Sequence, residues 1–498
     1  MKLLFRVLLV VTAAALPNVC NAQCFDDYRK QAEEEYNSYK KQANDDYESF
    51  RKRANEEYSD FMRQSWAFFK GERAIPVPED DELPPIVCPD IDLDELEDNE
   101  IPFIDTIPYD FDDEPLAPIP IPTPVKPAPL PEQPSMKVSF YGTDTFVHFD
   151  PRKRQYLRSA REQAAADMWK AMNTDDFASL VADCMGVKQE LNLCDWAYQL
   201  YLDRVCDDIY GKSNEAVMLK AFILCQSGYK IRLGRDDEDI LHLLVSLSDD
   251  IVGYAYFDLG DSHYYLTDGS EVKSLYIFNK AFPEEKSIRM SLGRPVTLTY
   301  NPSARIVRQS ENYPSARVAM TINKNLMAFF SDYPQPVKRN VDYSVWSFYA
   351  NTPFSDEVRK EIYPALKSSI AGKSQPEAAN ILINFVQTAF EYKKDNEQWG
   401  YERPFFPEET LYYKYSDCED RAILFTRLVR DLMGLDAVLL YYPGHLASAV
   451  KFTEPVKGDF LNIQGEKYIV CDPTYIHAPI GLTMPDMDNS KAVVVLLD

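Results

Sequence analysis

Sixteen of the 34 prolines of this chain fall between Gly71 and Pro134, and no other feature limits its fold so sharply. Proline lacks the amide donor and fixes its own φ, so helix and sheet are both suppressed through such a stretch. The expectation is a semi-extended polyproline linker over 71–135, most regular from Pro115 to Pro134, where proline alternates with small or apolar residues. Its acidic cluster, Asp90 to Glu100, reads as solvated surface. Ordered structure is then expected on either side of the linker.

On the N-terminal side, Lys2 and Arg6 precede an apolar run, Val7 to Leu16, too short to span a bilayer. Ala22 before Gln23 offers a cleavage point, so 1–22 reads as a secretory signal peptide and the mature protein as exported, periplasmic or secreted, without a membrane span. Eight cysteines would remain. An oxidising compartment permits disulfides, but the spacings suggest no stapled framework, and most are expected to be buried structural thiols.

Residues 26–69 carry an eleven-residue repeat. Tyr28, Ala32, Tyr36, Tyr39, Ala43, Tyr47, Phe50, Ala54, Tyr58 and Phe61 recur at steps of four, four and three. That spacing predicts one long helix over 23–70 with a single aromatic-alanine seam, winding slightly right-handed as in a coiled coil. A seam needs a cover. Self-association is the leading expectation, with docking on the body of the chain or on a cell-surface partner as alternatives.

Beyond the linker the pattern becomes globular and α+β. Val138 to Phe149 alternates like a strand, helical spacing dominates from Arg152 to about Gln226, and short β patterns run to Phe278, giving a unit over 137–285. Residues 286–352 read as β-rich, with Val296 to Tyr300 and Arg317 to Ile322 the clearest runs. The last unit spans 353–498. The net charge of −26 argues against nucleic acid, which needs a Lys/Arg surplus.

The chemistry concentrates in Tyr415-Ser416-Asp417-Cys418-Glu419-Asp420-Arg421-Ala422. Ser416 or Asp417 can cap a helix, with Ser416 and Glu419 fitting a capping box. Apolar residues at helical spacing follow until Gly434. Cys418 then sits in the first turn, where free amides and the helix dipole favour a thiolate. Asp417, Glu419 and Asp420 oppose it by charge, so a cationic partner is needed. His445 opens a strand after the Pro443-Gly444 turn, and Asp472 ends a later one. Cysteine, histidine and aspartate so placed form a workable nucleophile, base and orienter.

This arrangement resembles the transglutaminase-like superfamily, related to papain-like proteases, over Glu377 to Tyr475. In its Cys-Glu-Asp form it is particularly similar to bacterial transglutaminase-like cysteine peptidases. The resemblance implies a catalytic Cys418, His445 and Asp472 acting through a thioester, on a helix bearing the cysteine packed against an antiparallel sheet. Hydrolysis of peptide or isopeptide bonds in a protein substrate is favoured over amine transfer onto glutamine (cross-linking). A non-catalytic binding or scaffolding protein of the same fold is the other alternative. Where many relatives place an aromatic soon after the histidine, Leu446-Ala447-Ser448 follow here, so the cleft is expected to differ. Trp399, Tyr412 and Tyr413 are candidate cleft or core residues. No cofactor is implied, and scattered histidines without a Cys-x-x-Cys pair suggest no metal.

Residues 137–285 echo this pattern. Asn214-Glu215-Ala216 opens a helix ending near Gly228, and His242 and Asp268 follow at nearly the separation of His445 and Asp472. Anchored on Gly228 and Gly434, Lys212 falls against Cys418, with Ser213 beside it. The expectation is a duplicated, degenerate domain that binds substrate or shapes the cleft. Convergence of Lys212, His242 and Asp268 is its test.

Overall fold

The computed structural model describes residues 38, 41–42, 45–46, 48–76, 83–89, 91, 96–108, 135–339 and 343–497. The signal-peptide reading, the N-terminal part of the eleven-residue repeat and the most proline-rich stretch lie outside the described residues. The molecule is α+β, with helices packed on two curled antiparallel sheets. Among the described residues no helix is long and apolar enough to cross a membrane.

Each sheet follows a helix. After Asn214–Gln226 come Ile231–Arg235, Leu241–Ser246, Tyr256–Leu259, Ser262–Leu266 and Ser274–Phe278. After Cys418–Met433 come Ala437–Tyr442, His445–Val450, Asp459–Ile463, Glu466–Cys471 and Val493–Leu496. Numbered from the helix, the five strands are ordered 5-1-2-4-3 in both sheets. In the first half, Asp250–Ile251 is an extra short strand that pairs instead with Pro336–Val337. Gly434 ends the cysteine helix in the left-handed region, at φ 66°, as its sequence position predicts.

The 71–135 segment is not a free linker where it is described. Its backbone bonds first to the N-terminal half, from Gly71 to Lys273 and from Glu72 to Tyr256. It then crosses to the C-terminal half, where the Leu83 amide donates to Gly444 and the Cys88 amide to Ile476. Asn99–Glu100 pairs beside Asp459–Ile463, and Asp105–Ile107 beside Val493–Leu496. Those are the two outer edges of one sheet. Laid flat, the seven strands would separate these additions by about 29 Å, at ~4.8 Å per strand step. Five residues from Glu100 to Asp105 reach only about 17 Å. The sheet must therefore curl, and Ile101 and Phe103 pack into its concave face against Val438, Leu440, Ala449 and Val494. Neither edge strand contains a proline; Pro102 and Pro108 fall just outside them, where no ladder donor is required.

Three further expectations need correction. Val138–Phe149 is a hairpin, Ser135–Phe140 with Thr143–His148, because Tyr141 and Gly142 both take positive φ and reverse the chain. Residues 286–352 are not β-rich. Ile306–Gln309 pairs with Arg317–Met320, but Val296–Tyr300 lies outside any strand, the Thr297 amide donating to Leu191. Helices Lys324–Ser331 and Val345–Asn351 fill the rest of that region with the short Pro336–Val337 strand. The N-terminal helix ends at residue 62, and Ala67–Lys70 joins the first sheet.

That helix docks on the body. Ala54, Tyr58 and Met62 are buried together with polar Arg51, Asn55 and Ser59. Asn55 accepts from Trp169 Nε1 at 3.0 Å and donates to Gln226 Oε1 at 2.9 Å. Of the seam, Ala54 and Tyr58 are buried while Phe50 and Phe61 remain exposed, so the buried face only partly coincides with the seam and takes in Arg51, Asn55 and Ser59 beside it. The seven described cysteines are free thiols, six of them buried.

Candidate active site

Asp417 is the N-cap of helix Cys418–Met433, and its amide donates to Asp420 Oδ2 at 3.4 Å. The capping pair is therefore Asp417 with Asp420, one residue later than Ser416 with Glu419. This shift turns Glu419 inward, and the Cys418 thiol donates to Glu419 Oε2 at 3.2 Å. Cys418 is 3% exposed and His445 1% exposed, and both line a crevice of about 200 Å³. Trp346, Glu402, Glu419, Tyr441 and Leu446 complete its walls.

His445 starts its strand beside Tyr442, and Asp472 follows the neighbouring strand. The ring Nε2 lies 2.8 Å from Asp472 Oδ2, with both side chains buried. Asp472 Oδ1 accepts from the amides of Thr474 and Tyr475, so the aspartate is fixed by its own turn. The other ring nitrogen, Nδ1, is buried and has no hydrogen-bond partner among the described residues. An imidazole held at Nε2 by a carboxylate keeps Nδ1 for a thiol proton.

Five carboxyl groups crowd the thiol: Asp395, Glu402, Asp417, Glu419 and Asp420 are all at least nine-tenths buried. Burial raises the pKa of Glu419 well above the usual range, helped by Asp417 and Glu402. Burial likewise raises Asp420, with Asp417 and Asp395 adding to it, and raises Asp417 against hydrogen bonds from its neighbours. So many carboxylates cannot all ionise in one buried space. They share protons or hold a cation. Asp395, Asp417 and Glu419 each bring a ligand atom within 4.8 Å of the others, an all-oxygen set suited to a hard divalent ion. The sequence reading missed this trio because it sought histidine and cysteine spacings. The Asp-Cys-Glu-Asp run was the available signal.

Cations surround the cluster without entering the crevice. Arg421 is buried and donates to Ser416 Oγ and to the carbonyls of Gln387 and Phe390. Arg403 bonds Glu409 at 2.5 Å and lies over the rings of Trp399, Phe405 and Tyr413. Trp399 and Tyr413 therefore hold an arginine and do not line the crevice, and Tyr412 packs on Tyr413. The aromatic surface of the cleft comes from Trp346 and Tyr441, which no motif marked.

In the first half His242 and Asp268 do approach, with Nδ1 3.9 Å from Asp268 Oδ2. Ser270 Oγ lies 3.5 Å from the same Nδ1 and Asp236 Oδ2 3.1 Å from Nε2, so both nitrogens are engaged. Burial pushes the His242 pKa down, but Asp268 and Asp236 outweigh it and the net shift is upward. Lys212 is exposed, and the Ser213 hydroxyl caps its helix by accepting from the Ala216 amide. The histidine and aspartate meet as an ion pair; Lys212 lies on the surface. No family model matches the chain, and neither a curated protein nor a solved structure is similar enough to match it.

Proposed function

We propose that this protein is an exported transglutaminase-like thiol enzyme that hydrolyses peptide or isopeptide bonds through Cys418, His445 and Asp472. The observation that carries the reading is the unpartnered, buried Nδ1 of His445 in a crevice shared with Cys418, its Nε2 held by Asp472. Nδ1 takes the thiol proton, and the thiolate attacks the acyl carbon to give a tetrahedral intermediate. Collapse forms the thioester as the imidazolium protonates the leaving amine. Water, deprotonated by His445, then releases the acid and the free thiol. The Cys418 amide, at the helix start, is the natural donor to the oxyanion. Asp472 holds the tautomer and stabilises the imidazolium.

Within this reading the shared 5-1-2-4-3 strand order favours a duplicated fold, whereas Lys212, on the surface, does not converge with His242 and Asp268 as the alignment with Cys418 requires. The first copy is then a non-catalytic partner, because both nitrogens of His242 are occupied. A second reading, an idle domain that binds or scaffolds, is favoured by the carboxyl crowd, which opposes a thiolate. Alkylation of Cys418 against pH separates the two, in wild type, Cys418→Ala and His445→Ala. Fast labelling below pH ~7 that His445→Ala abolishes supports the enzyme. Labelling that rises only above a pKa of about 8.5 sinks it.

A further inference from the structure

As folded, the crevice is narrow and Cys418 and His445 are almost wholly buried in it, so a polypeptide cannot reach the thiol. One wall must therefore move. Cys418 and Glu419 belong to the first turn of a long buried helix, and Tyr441, His445 and Leu446 to the two central strands of the sheet. Trp346 is different. It sits on the short helix Val345–Asn351, just after Tyr343, a bulky residue in the left-handed region at φ 66°. Tyr343 stacks on Tyr441 at 4.1 Å between centroids, and Trp346 on Tyr441 at 5.3 Å. Three aromatic rings from two segments thus lie face to face beside the thiol crevice.

The N-terminal half holds the other end of this wall. Pro336–Val337 pairs with Asp250–Ile251, and the Val252 amide donates to Gln335. Gln335 Nε2 donates to the carbonyl of Glu402, itself a crevice residue, at 2.7 Å. Asp250 is buried and accepts from Tyr265 OH at 2.8 Å, with Arg339 Nη2 3.4 Å away. The Lys338 amide donates to Ser344 Oγ at 2.9 Å, tying this anchor to the aromatic turn.

We infer that the Tyr343–Trp346 turn is a gate over the Cys418 crevice, closed by stacking on Tyr441 and anchored on the N-terminal half through Asp250–Val252. It deepens the proposed function and rests on Cys418 being the reactive thiol. A strained residue held by stacking is a wall poised to move, and the seven-residue helix that follows it, though buried, opens more readily than the sixteen-residue cysteine helix. The N-terminal half thereby acts on the site as the support of its gate.

The test is alkylation of Cys418 in the full mature chain, quantified by peptide mapping, with iodoacetamide as the small reagent and fluorescein maleimide as the bulky one. Trp346→Ala should speed the bulky reagent about tenfold or more while changing the small one little. Trp346→Phe, which keeps a stacked ring, should stay near wild type. Amide hydrogen exchange on the wild-type chain needs no variant, and residues 344–351 should exchange faster than 418–433. Equal bulky-reagent rates in wild type and Trp346→Ala, or exchange as slow in 344–351 as in 418–433, would overturn the gate. The enzyme reading fails differently, on the pH profile of the small reagent.

Discussion

At the scale of the residue, the site depends on how each nitrogen and oxygen is engaged. Asp472 holds the His445 ring at 2.8 Å and so fixes which nitrogen faces the thiol. Asp472→Asn is expected to slow Cys418 alkylation near pH ~6 by about tenfold and to leave the rate at pH ~9 almost unchanged. A uniform loss at both pH values would instead mean misfolding. Glu408 gives a second prediction. It is buried, accepts from the Ser355 amide and hydroxyl, and burial pushes its pKa from 4.5 to about 7. A raised acid pKa means that the folded state binds the proton more tightly. Its stabilisation is full below the unfolded value of 4.5 and is lost as pH rises to about 7. The loss is about 3 kcal/mol for this one group. Glu408→Gln should flatten the fall in melting temperature between pH ~5 and ~8. That Cys418, His445 and Asp472 come together was legible, because local order in the sequence marks them. Trp346, Tyr441, Asp395 and Glu402 were not, because only the tertiary fold brings them to the thiol.

At the scale of the element, the readable parts were those with strong local signals. Gly434 as a helix stop and the turn Gln464-Gly465, both at positive φ, lie where their residue types indicate. Long-range pairing was not legible. Nothing near Ile101 reports that its partners lie in strands at the other end of the chain, and its prolines argue for the opposite. Ile101→Ala should destabilise the C-terminal half by about 2–5 kcal/mol, seen as a lower urea midpoint, because the concave face cannot refill the gap. A change below about 0.5 kcal/mol would show that the insertion is not a stable part of the sheet. In the N-terminal helix, Asn55→Ala leaves the buried Trp169 Nε1 and the Gln226 amide short of a partner. It should cost about 1–3 kcal/mol and increase proteolysis near residue 62.

At the scale of the whole molecule, the two halves are joined by more than their covalent chain. The segment 71–108 bonds to both, and Gln335–Val337 carries a second contact from the N-terminal half to the crevice. A chain beginning at Ser135 would lose the edges of both sheets and the cover of one concave face. It should melt at lower temperature than the full chain and bind a hydrophobic dye, as an uncovered apolar face does. A truncated chain with unchanged melting and no dye binding would return the segment to the role of a passive connector. Division of the body into two sheet-bearing units could be anticipated from the echoed helix, histidine and aspartate; their mutual bracing could not.

The pairing of Asn99 with Asp459 spans 360 residues and carries a consequence in time. The ribosome makes the first of these strands long before the second, so the C-terminal sheet cannot close until nearly the whole chain has been synthesised. Contacts of such sequence separation form slowly, with loop closure preceding any gain from packing. Val493–Leu496, which pairs with both Ala437–Tyr442 and Asp105–Ile107, completes a sheet that the earlier segments cannot finish alone.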